Sequence, residues 1–167
     1  MSARFPLLRD VRASAAVEMA LVVPMLLILM FGSVELGNYF LNEHSLVKAV
    51  RDGARFASRQ SFASYPDCST VDSTAQTNIQ NVVMYGYLSG TSVLTPNIGS
   101  TDITISTSCS TTGGGQTYQG IYRGRAAGAQ IVTVTASVDY RSVLGSFGFS
   151  GIGMHLNASS QAAVAGI

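Results

Sequence analysis

Residues 13–36, ASAAVEMALVVPMLLILMFGSVEL, form an apolar run broken by charge only at Glu18 near its start and Glu35 at its end. A helix over residues 13–34 would be about 33 Å long, against a hydrocarbon core of about 30 Å, so the run predicts one membrane-spanning helix. A secretory signal would be shorter and would end in a small-residue cleavage pattern, which residues 31–40 do not offer. Arg4, Arg9 and Arg12 precede the run with only Asp10 against them, which predicts an N-terminus retained on the cytoplasmic side. Lys48, Arg51, Arg55 and Arg59 make the far flank basic as well, but they begin about a dozen positions beyond the run, where their weight on orientation is lower.

The chain then divides into a leader at 1–13, a span at 14–36, a helical extension at 37–59 and a small α+β domain at 60–167 outside the membrane. Leu36, Phe40, Val47, Val50, Ala54 and Ala57 keep helical spacing beyond the span, so one long rod is expected to continue to about Arg59. Ala49, Gly53 and Ala57, four apart, give this rod a small-residue stripe that permits close approach, either by the chain's own domain or by another subunit. Lys48, Arg51, Arg55 and Arg59 form a second stripe, read as a solvated face partly neutralised by Asp52 or as a contact for lipid headgroups or an acidic partner.

Residues 60–69, with Tyr65-Pro66-Asp67, read as a loop, and 70–88 as a second helix capped by Ser69 or Thr70 and stopped at Gly90. Alternation predicts strands over 102–109, 129–140 and 154–164 in an antiparallel sheet, with a fourth strand around 92–95. The glycine-rich stretch at 110–128 reads as a mobile loop carrying Tyr118, Tyr122, Arg123 and Arg125. Residues 141–153, with Phe147 and Phe149, read as another exposed tip.

Cys68 and Cys109 both follow the span. On an oxidising side a disulfide between them would close a loop of about 40 residues and stabilise a small domain by about 2–4 kcal/mol, with two buried thiols as the alternative. His44 and His155 have no Cys or Asp at ligand or triad spacing, so no catalytic, cofactor or metal site is expected. The net charge of +1 gives no field for nucleic acid.

Glu18 is out of place in a membrane segment, where an acid costs about 2.5–3.5 kcal/mol at the centre and less near an end. It either reaches back to the cytoplasmic headgroups or meets a counterion in the membrane. Pro24 removes one intrahelical donor, so a kink or local opening is expected there.

Residues 12–59 resemble the N-terminal region of TadE-like proteins, minor pseudopilins of tight-adherence (Flp-type) pili related to type IV pilins. The matching pieces are the basic leader ending at Arg12, AAVE at 15–18, Pro24, FGSVELG at 31–37 and VRDGARFAS at 50–58. The resemblance implies cleavage by a prepilin peptidase between Ala13 and Ser14. Ala13 stands where the family usually has Gly, and Met19 where it usually has an aromatic residue. It also implies a role for Glu18 in subunit assembly, paired with the new amine of a neighbouring subunit's N-terminus. At about 4 Å and an effective dielectric near 20 that attraction is roughly 4 kcal/mol before desolvation. The implied location is the inner membrane, with the outer domain periplasmic. The implied partners are membrane lipid, other pilins and pseudopilins, the prepilin peptidase and the pilus assembly platform.

Overall fold

The computed structural model describes residues 11–110, 120–123, 128–147 and 153–166. The leader through residue 10, most of the glycine-rich stretch (with Tyr118 and Arg125) and Phe149 lie outside them.

Helix α1 runs unbroken from Val11 to Ser58, with Pro24 inside it. Its forty-eight residues correspond to about 72 Å of rod. The two halves differ in what surrounds them: residues 14–34 are exposed, whereas Leu46, Ala49, Val50, Ala54 and Ala57 are buried. With Gly53, also buried, these fall on one helical face and make the inner wall of the core.

Three antiparallel strands form one sheet, β1 (Ile103–Ser110), β2 (Ala129–Asp139) and β3 (His155–Ala163), in the order β1-β2-β3, with β2 and β3 lying against that face. The register pairs Ile103 with Ala136 and Val138 with Leu156, so side chains of one parity share the core face. Val132, Val134, Ala136, Val138, Leu156 and Ala158 are buried there, while Thr135, Ser137, Asn157 and Ser159 face outward. This is the one-sided solvation usual for antiparallel sheets. The expected α+β architecture is therefore present. A fourth strand at 92–95 is absent among the described residues: the Leu94 amide donates to Met84 O (2.8 Å), and the segment runs as bends with no partner strand beside it.

Helix α2 (Ser73–Tyr85) closes the core beside α1, burying Ala75, Ile79, Val82, Val83 and Met84. It is shorter at both ends than periodicity predicts. Asp72 is the N-cap in place of Ser69 or Thr70, its Oδ2 accepting from the amides of Thr74 (2.9 Å) and Ala75 (3.2 Å). The amides of Ser69 and Thr70 are already taken by Asp67 Oδ1, at 2.7 and 2.5 Å. These bonds hold the exposed Asp67 carboxyl down at about 2. At the other end Gly86, not Gly90, stops the helix, in the left-handed conformation at φ 82°.

The end of the domain farthest from the N-terminus is tied together by several long-range contacts. Cys68 and Cys109 are joined as a disulfide, Cα to Cα 5.2 Å. Gln130, opposite Cys109 in the register and buried, donates Nε2 to Tyr65 O at 2.7 Å. Last-turn carbonyls of α1, which have no intrahelical donor, accept from Tyr65 Oη at Ala57 (2.8 Å) and from the Ala165 amide at Ser58 (2.7 Å).

Burial of Tyr65 pushes its phenol up to about 12 from an ordinary 10.0. Because the folded value is the higher one, its contribution to stability is complete below about pH 10 and is lost as pH rises towards 12. Denaturant midpoints measured across that window should fall with pH, and Tyr65→Phe should flatten the fall. An unchanged slope in Tyr65→Phe would show that this phenol ionises freely in the folded state.

A bare helix and a carboxylate clasp

Leu21, Ile28 and Leu29 are each about 70% exposed, and the apolar side chains from Val17 to Val34 are uncovered on every face of α1. The helix holding them has a window of mean hydropathy 2.3 with none of it buried, making it long and apolar enough to cross a membrane. A monomer in water rarely exposes so large a continuous apolar surface. Glu18 is exposed on this bare section and, among the described residues, has no hydrogen-bond or ion-pair partner. It sits about 26 Å along the axis from Glu35, so the two acids bracket most of a hydrocarbon thickness.

Glu35 is the first side chain above the run to be held by the outer domain. Its carboxylate accepts from Tyr140 Oη (2.9 Å) and from the amides of Val143 (3.2 Å) and Leu144 (3.1 Å). Val143 and Leu144 open the single 3-10 turn Leu144–Phe147 that follows β2, so the carboxylate satisfies amides that would otherwise lack acceptors. Asn38, one turn further along α1, donates Nδ2 to Tyr140 Oη at 2.8 Å, and Tyr39 meets the Tyr140 ring edge-on at 5.2 Å. Burial raises the Tyr140 phenol above its ordinary value; the Asn38 bond opposes this and the neighbouring carboxylate adds to it. The β2–β3 connection is thus clasped to α1 at the level where the apolar run ends.

In the sequence Glu35 stands as the charge closing the run and as part of the FGSVELG piece at 31–37, with nothing beside it to mark a clasp. Its partners lie more than a hundred positions away, and the one local hint was Tyr140 at the end of a predicted strand. Glu35→Ala would leave two amides without their acceptor and the Tyr140 phenol only its longer bond to Glu35 O (3.3 Å), and should lower outer-domain stability by about 1–3 kcal/mol. Hydrogen exchange at Val143 and Leu144 should accelerate markedly, and less so in Glu35→Gln, which keeps one acceptor oxygen. Unchanged exchange in Glu35→Ala would mean the clasp carries no weight.

The remaining sequence-predicted residues separate in space. The Ala13–Ser14 bond lies in the first turn of α1, and Pro24 lies mid-way along its bare section. The Ala49, Gly53 and Ala57 stripe is buried inside the chain's own domain: a Cβ built on Gly53 would stand 2.3 Å from Val83 Cγ2. Lys48, Arg51 and Arg59 point to solvent, and Arg55 reaches Asp52 at 3.7 Å. His155 Nδ1 meets Asp139 Oδ1 at 2.7 Å on the exposed sheet face, a pair set by register and invisible in sequence spacing. No group of three or more His, Cys, Asp or Glu able to hold a metal occurs among the described residues.

Residues 13–55 match the family model described as TadE-like protein. The matched stretch contains the bare helix, Glu18, Pro24 and the clasp residues Glu35 and Asn38, and it stops before α2 and the sheet. No curated protein and no solved structure matches the chain.

Proposed function

From the TadE-like segment at residues 13–55 we propose that this chain is a minor pseudopilin, a single-pass membrane protein that takes part in initiating or assembling a tight-adherence pilus. The observation that carries the reading is the bare helix with Glu18 standing alone on it, inside the matched segment. In this reading the N-terminus stays in the cytoplasm, residues 14–36 cross the inner membrane, and the domain built on residues 37–167 lies outside. A disulfide between Cys68 and Cys109 suits that oxidising side.

Prepilin peptidase cuts between Ala13 and Ser14, and the Ser14 amine of one copy, protonated at neutral pH, faces Glu18 of a neighbour. The pair fixes the stagger of adjacent helices, because one residue of slip moves the charges apart by about 1.5 Å. Partners of the span are lipid, other pilins and pseudopilins, and the assembly platform. Sequencing the mature N-terminus should give Ser14. Glu18→Gln, which keeps shape and removes charge, should lower fibre display roughly tenfold if the pair is worth about 1.4 kcal/mol net. Normal display in Glu18→Gln would overturn the role given to this carboxylate.

A second reading, an uncleaved membrane-anchored scaffold, draws on Ala13 at the position before the cut and on Glu18 lying near the inner boundary, within reach of headgroups. It predicts a chain that starts at Met1 and an unaffected Glu18→Gln variant.

A further inference from the structure

Between α1 and the β2–β3 connection lies a groove of about 360 Å³ lined by Gly32, Glu35, Leu36, Tyr39, Leu144 and Met154. The Glu35 carboxylate is already engaged by the connection, so what the groove presents is apolar and aromatic. Along α1 it runs from Tyr39 down to Gly32, about 10 Å of axis straddling the point where the apolar run ends. Gly32 is one turn deeper than Glu35, and Leu144 and Met154 line the groove opposite α1, beside the Glu35 clasp. Val143 and Met154 are 41% and 43% exposed, and Leu36 on α1 is 55% exposed, so apolar surface continues from the span onto the outer domain. Arg141, exposed and outside any ion pair among the described residues, precedes them on the same connection.

We propose that the β2–β3 connection is a second membrane contact. Residues 141–145 and Met154 rest in the outer leaflet, and the groove takes the upper part of a phospholipid acyl chain. The proposal rests on the reading of residues 14–36 as the span, since that reading puts the groove at the lipid boundary. The occupant follows from continuity: the groove opens from a helix face that is lipid-exposed one turn below. Arg141, three residues before Leu144 on the same connection, supplies an exposed cation of the kind that suits a lipid phosphate. Such a foot joins the outer domain to the bilayer at two places, the helix and the connection.

The chain contains no tryptophan, so single tryptophans report position without background. Full-length Leu27→Trp, Val143→Trp, Met154→Trp and Gln76→Trp are reconstituted in phosphatidylethanolamine–phosphatidylglycerol vesicles containing lipids brominated near the glycerol or near the chain end. Leu27→Trp should be quenched most by the deep label, and Val143→Trp and Met154→Trp by the shallow one, about 5–10 Å into the headgroup boundary. Gln76→Trp, on the solvent side of α2, should respond only to iodide. If Leu27→Trp is quenched while both connection tryptophans behave like Gln76→Trp, the foot is wrong and the span stands. If Leu27→Trp escapes the deep label, the span reading itself fails. Met154→Trp is read beside Val143→Trp so that one misfolded variant does not decide the result.

Discussion

Gly53→Leu is expected to unfold the outer domain at ordinary temperature. Glycine inside a helix costs about 1 kcal/mol relative to alanine, so its place on α1 has a reason, and the reason is Val83. The α1 and α2 backbones approach so closely that even a Cβ would meet Val83 Cγ2 at 2.3 Å, with Ile79 Cγ2 behind it at 3.9 Å; both side chains are fully buried. One added methyl in a filled core costs about 1–3 kcal/mol, which offsets or exceeds the propensity gain of Gly53→Ala. Leucine adds three more carbons to the same space and threatens a stability that for a domain of this size is about 5–15 kcal/mol. Circular dichroism melts of the full chain in detergent should show Gly53→Ala modestly destabilised, Gly53→Leu without a cooperative transition for the outer domain, and partial recovery in Gly53→Ala/Val83→Ala. A wild-type melt for Gly53→Leu would mean that α2 does not pack on this stripe.

Removing the disulfide should have the next largest effect. The bond between Cys68 and Cys109 spans 41 positions, and constraining a loop of that length in the unfolded chain is worth about 4 kcal/mol in the chain-entropy account. The cross-link also holds the loop after α1 against the end of β1, beside the Gln130 bond to Tyr65 O. Cys68→Ser/Cys109→Ser should therefore lower the denaturant midpoint strongly, and reductant should do the same to the wild type and nothing further to the variant. Exchange should rise first at Gln130 and Tyr65 and last around the Glu35 clasp, at the opposite end of the sheet. A double variant with an unchanged midpoint would rule out the bond as a stabilising link.

The elements legible in the sequence were those whose signal is periodic. The face from Leu46 to Ala57 repeats at helical spacing, and Val132 to Val138 alternates, because one side of each element must leave water. Ends are harder: 67–72 offers several residues that can cap, and in the fold it is the Asp72 carboxylate that meets the amides of Thr74 and Ala75. Val93 and Leu94 look like a strand, but both are exposed and no neighbouring strand exists to pair with them among the described residues. The stripe at Ala49, Gly53 and Ala57 was visible as a surface for close approach, while its partner, α2, required the tertiary fold. Glu35 was least legible, since its meaning depends on a turn that follows β2.

The continuity of α1 has a mechanical consequence. Because α1 is unbroken between its bare half and the half that carries β2 and β3, on the proposed membrane-spanning reading the orientation of the helix in the bilayer is also the orientation of the domain. From Glu35 to Ser58 the rod extends about 35 Å, so leaning it by a typical 20° displaces its far end sideways by about 12 Å. On the proposed pseudopilin reading, a change in how neighbouring subunits crowd the helix would thereby swing the outermost surface through the width of a helix.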